Sequence, residues 1–98
     1  MYQMDQLLTL LSIEKAKELR FLPGCPPIVV SDTDQRPMEG PVTTAEEVMG
    51  LFRLLANSRQ MRELREKKSI RFVYTTHGRL AFVVQARLAA EKLSFEVS

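Results

Sequence analysis

The chain has 98 residues, 45% of them hydrophobic and 27% charged, with a formal charge of +2, which allows one hydrophobic core and no second. This composition excludes disorder, the charge is too small to imply a nucleic-acid partner, and no apolar run reaches the ~20 residues that span a bilayer. A single cysteine, Cys25, excludes an intrachain disulfide and fits a reducing, cytoplasmic setting. Residues 1–8 carry no basic n-region, so neither a signal peptide nor membrane insertion is expected.

In chain order, residues 2–19 read as an amphipathic helix, with Met4, Leu7, Leu8, Leu11 and Ala16 at spacings of three to five. A short extended piece, residues 19–22, runs into Pro23-Gly24, a strong turn signal. Pro26-Pro27 then holds the chain extended into the β-branched run Ile28-Val29-Val30. Residues 31–34 have turn composition, and residues 35–38 can return as an edge strand because Pro37 lacks a ladder donor. Thr43 with Glu46 spells a capping box, and Val48, Leu51, Phe52 and Leu55 predict a helix over 44–56. Asn57-Ser58 breaks it and caps a second helix over about 59–66.

From Ser69 the hydrophobic period changes from 3.6 to two. Ile70, Phe72 and Tyr74 alternate up to a Thr76-His77-Gly78 turn, and Leu80, Phe82, Val84 and Ala86 alternate after it, which predicts a hairpin. A last strand follows, with Leu93, Phe95 and Val97 on one side. The order is helix, two strands, two helices, three strands. An α+β fold with one antiparallel sheet of about five strands, covered by helices on one face, is the economical arrangement. Leu51, Phe52, Phe72 and Phe82 are expected to be buried together.

Residues for catalysis are scarce. None of the four glycines precedes a Lys-Ser/Thr pair, so no phosphate-cradling loop is expected, and the chain reads as a non-enzyme without a cofactor. One His and one Cys cannot supply the usual nitrogen and sulfur ligands of a metal site. His77 reads as a solvated turn residue, Cys25 as an unreactive thiol, and Asp32, Asp34 and Glu39 as solvated turn carboxylates. The one concentration of charge runs from Arg53 to Arg71. Its candidates for a partner surface are Arg53, Arg59, Arg62, Arg65 and Lys68. They read either as a solvated helix face with i,i+4 pairs such as Arg62–Glu66, or as a docking face for an acidic protein. No aromatic platform accompanies them for nucleic acid.

Several of these segments resemble the N-terminal domain of the type IV pilus retraction (twitching motility) ATPases, which belong with the type II/IV secretion ATPases. Ala16-Lys17-Glu18-Leu19-Arg20-Phe21 is similar to a family segment reading small, polar, acidic, aliphatic, His, aliphatic. Gly24-Cys25-Pro26-Pro27 resembles the family's Gly-x-Pro-Pro turn. The helices and closing strands follow in the family's order over nearly the whole chain. The resemblance implies a single PAS-like domain over residues 1–98, without the ATPase domain, that acts as a non-catalytic assembly or regulatory part of a pilus or secretion motor. The partner it implies is a protein, either a neighbouring motor subunit or a pilus or secretion component, and homo-oligomerisation is left open.

In that family arginines of the last strands reach toward nucleotide phosphates, which makes Arg79, and Arg87 as a substitute, nucleotide-proximal candidates by resemblance. The sequence departs from the family at Arg20 in place of His, at Thr33 in place of a turn Gly, at Ala81, and at Glu96 in place of an arginine. A carboxylate repels phosphate, so either the correspondence shifts by a residue or two at Glu96 or nucleotide sensing has been lost there. Two other readings are a PAS-like sensor with a small apolar ligand between helix and sheet, and a nucleic-acid-binding module.

Overall fold

A computed structural model of the chain describes residues 4–13, 16–76 and 79–98. Helix α1, Met4–Ile13, buries Met4, Leu7, Leu8 and Leu11 on one stripe. The helix predicted over 2–19 does not persist to residue 19, because strand β1 occupies Glu18–Phe21. Sheet pairing captures the chain there: the Lys17 N–H donates to the Val30 carbonyl at 2.8 Å, and Leu19 and Phe21 are fully buried at strand spacing. Residues 14 and 15 of the expected helix lie outside the described residues, as do residues 2 and 3.

The Pro23-Gly24 turn forms as its composition requires. Gly24 sits at φ +85°, and the Cys25 N–H closes the turn on the Leu22 carbonyl at 3.4 Å. Strands β2, Ile28–Val30, and β3, Gln35–Pro37, make the first hairpin, whose turn is tied by bonds between Ser31 and Asp34. Helix α2 spans Ala45–Arg53 rather than 44–56, and its capping box is one residue later than expected. Thr44 accepts from the Glu47 N–H, and the Glu47 carboxylate accepts from the Thr44 N–H. The run Thr43-Thr44-Ala45-Glu46-Glu47 fits the box in two registers, and burial selects between them. Thr43 is fully buried, and its hydroxyl reaches the Leu22 and Cys25 carbonyls at 3.1 and 2.8 Å.

Helix α3, Ser58–Lys67, starts from a reciprocal cap between Asn57 and Gln60 and ends at Lys68 in the left-handed region, φ 67°. Strands β4, Ser69–Thr75, β5, Ala81–Ala89, and β6, Lys92–Val97, complete the sheet. A two-residue turn joins β5 to β6, with Ala90 and Glu91 both at positive φ, 51° and 63°. Among the described residues the architecture is α+β, one antiparallel sheet of six strands with three helices. The sixth strand is β1, which the sequence offered only as a short extended piece. The order β3-β2-β1-β6-β5-β4 sets the last strand in the middle, between β1 and β5.

All three helices contribute to one core on one face of the sheet. Phe21 stacks on Phe95 with centroids 4.5 Å apart, and Phe52 meets Phe95 at 5.3 Å and the edge of Phe72 at 6.0 Å. Leu51, Phe52 and Phe82 are buried, as expected. Phe72 points to the same face but is only half-buried, because β4 is an edge strand and lacks a neighbour on its outer side.

Candidate functional site

Two polar surfaces remain on this frame. The first is the end of α2 and one side of α3. Arg53, Arg62 and Arg65 come together around a shallow depression of about 510 Å³ that also includes Asn57, Ser58 and Met61. The geometry follows from the helix period, since 58, 62 and 65 share one face of α3 while the short 54–57 linker folds Arg53 back toward them. Arg59 is exposed on the same helix but does not line the depression. Lys68 is held at the α3 cap, where its N–H donates to the Leu64 carbonyl and its own carbonyl accepts from Leu88, both at 2.8 Å. The i,i+4 ion pair on α3 joins Lys67 to Glu63 at 3.0 Å, in place of the expected Arg62–Glu66.

The second surface is the open face of the sheet, which the sequence did not reveal as a unit. Arg20 on β1 lies directly across from Glu96 on β6, and Glu96 across from Gln85 on β5. Charges alternate through these side chains. The Arg20 Nε is 2.8 Å from a Glu18 carboxylate oxygen and 3.5 Å from Glu96, whose other oxygen accepts from Arg87 Nη2 at 2.8 Å. Arg20, Glu96, Arg87 and Gln85 line a second depression of about 370 Å³, and Ile28 and Leu22 are among its apolar lining. Glu96 is therefore held between two guanidinium groups, and Arg87 is engaged by it. Strand alternation places these residues on one face, but only the sheet order brings them together.

Arg79 and Arg87 are not brought together. Arg79 belongs to the β4–β5 turn at φ 64°, with its N–H on the Thr76 carbonyl, and roughly 20 Å of strand separates it from Arg87. His77 and Gly78 lie outside the described residues. Cys25 is half-buried, and Asp32 is ion-paired with Lys17 at 2.7 Å. The hydrogen bond and charge of Asp32 hold the Lys17 ammonium above the usual lysine pKa. Among the described residues no helix is long and apolar enough to cross a membrane.

The six-stranded order, with helices on one face, is the fold of the N-terminal domain region of secretion and pilus ATPases. The pilus retraction motor PilT, solved with ADP bound, matches 99% of this chain at a TM-score of 0.83 and 15% sequence identity. The Legionella pneumophila ATPase DotB matches 96% of it at 0.77 and 16%. The chain spans 28% of the length of the PilT chain and 27% of DotB. At such identities the likeness is one of fold. No family model matches the sequence. No curated protein sequence matches it either.

Proposed function

We propose that this chain is a non-catalytic protein-interaction domain of a type IV pilus or type II secretion motor, working in the cytoplasm as an assembly or regulatory part. The observation that carries this reading is the superposition of almost the entire chain on about a quarter of a pilus retraction motor. Docking runs through the basic surface of α2 and α3, where Arg53, Arg62 and Arg65 converge and Arg59 and Lys68 extend the positive field toward an acidic protein partner. Arg87, by contrast, spends its charge on Glu96, and Arg79 lies at a distant turn, so neither is assigned to nucleotide. The ligand-sensor alternative has less support, because Phe21, Phe52 and Phe95 fill the space between helix and sheet.

The test is binding of the purified chain to the secretion- or pilus-type ATPase of the same cell, followed by interferometry at low and high salt. The triple variant R59E/R62E/R65E should bind at least about tenfold more weakly than the native chain, and salt should weaken native binding. Absence of native binding, or equal binding by the variant, would return α3 to an ordinary solvated helix.

A further inference from the structure

The two edges of the sheet are built differently. Strand β3 is three residues long and ends on Pro37, which has no N–H to offer. Strand β4 is seven residues long, has no proline, and keeps an unbroken register with β5 from Ser69↔Arg87 to Thr75↔Ala81. Two bonds fix the direction of its backbone groups. The Leu88 N–H donates to the Lys68 carbonyl at 2.8 Å, and the Thr76 N–H to the Leu80 carbonyl at 2.9 Å. By the two-residue alternation of an antiparallel ladder, Ile70, Phe72 and Tyr74 bond inward to β5. Ser69, Arg71, Val73 and Thr75 therefore turn their N–H and C=O groups to the outer edge. Val73 is 63% exposed, the highest value among the large hydrophobic side chains described.

The sequence of this edge is complementary to its own reverse. We propose that β4 pairs antiparallel with β4 of a second copy of this chain, about a two-fold axis at Phe72, joining two sheets into one. In that register Ser69 faces Thr75 and Arg71 faces Val73. All four belong to the outward set, so these are the pairs that exchange backbone hydrogen bonds. Ile70 faces Tyr74, and Phe72 faces its own copy, in the closer pairs between them. Each match is favourable in kind: hydroxyl on hydroxyl, β-branched on aromatic, aromatic on aromatic, and an arginine stem over valine.

The neighbouring registers are worse. An axis at Arg71 sets two guanidinium groups against each other, and an axis at Val73 leaves Ser69 and Ile70 without partners. The contact is isologous, closes at two copies, and is small enough to be weak and concentration-dependent. It does not depend on the motor reading, because it requires only this chain.

Sedimentation equilibrium of the full chain, from ~10 μM to ~1 mM, should show a reversible monomer–dimer equilibrium. V73K sets a lysine opposite Arg71 twice in the symmetric contact and should weaken dimerisation by about tenfold. The double variant R71E/V73K opposes unlike charges and should recover native affinity. Circular dichroism and melting temperature establish that both variants fold. In the native chain the Arg71 and Val73 amides should gain hydrogen-exchange protection as concentration rises. A native chain monomeric at the highest concentration, a V73K variant that dimerises as tightly as the native chain, a double variant without recovery, or protection that arises away from β4 would each overturn the proposal.

Discussion

The same strands make both faces of the sheet, yet the two faces have little in common. On the helix-covered side Leu19, Phe21, Val84 and Val97 are fully buried. On the other side the alternate positions of β1, β5 and β6 carry Glu18, Arg20, Arg87 and Glu96, joined by ion pairs whose arginines remain substantially in water. Burial of a large apolar side chain is worth several times an ion pair screened by solvent. The covered face therefore fixes which fold forms, while the open face can vary its chemistry at little cost in stability. An acidic residue at position 96 illustrates this freedom, because the arginines beside it supply the countercharge.

The largest effect should come from the covered face. Phe52→Ala removes a fully buried ring that touches Phe72 and Phe95, and should destabilise the chain by about 3–5 kcal/mol in urea unfolding. Thr43→Val keeps the shape and removes a hydroxyl that reaches the Leu22 and Cys25 carbonyls; each keeps a backbone N–H, so the cost should be about 0.5–1.5 kcal/mol by the same measurement. On the open face, Glu96→Gln should cost under about 1 kcal/mol, since Arg20 keeps Glu18 and Arg87 turns to water. A loss at Glu96 equal to that at Phe52 would break the contrast and make the open face a second core. The smallest effect is at the fully exposed Lys17–Asp32 pair. Because its lysine titrates above the usual value, the pair's contribution is fully present below the ordinary lysine pKa and is lost as pH rises through the lysine titration. Lys17→Met should leave the neutral-pH melting temperature unchanged.

Local signals in the sequence carried most of the secondary structure. The alternation at Ile70, Phe72 and Tyr74, the Pro23-Gly24 turn and the Asn57 cap all form where composition predicts them. The errors arose where a distant contact overrides a local preference. β1 interrupts a helical pattern because β2 and β6 claim its backbone, and the α2 cap moves by one residue because Thr43 is buried against a turn about 20 residues earlier. For the site, the basic residues of α3 were legible from helical spacing, and the structure gathers Arg53, Arg62 and Arg65. The Glu18–Arg20–Glu96–Arg87 network was not legible, because strands nearly 80 residues apart in sequence meet only through the sheet order.

The central position of β6 has a consequence for how the chain is made. Leu19 pairs with Val97, and Phe21 with Phe95, so the β1–β3 half of the sheet joins the β4–β5 half only through β6, which follows every other strand of the sheet in the chain. Until β6 leaves the ribosome, the three-stranded β1–β3 unit and the β4–β5 hairpin have no strand to join them. Contacts of such long sequence separation also slow folding, since a large loop must close before they form. Ribosome-tethered chains of increasing length should therefore show protection of the β1 amides abruptly, once β6 has emerged, and a gradual rise with length would show that the halves consolidate independently.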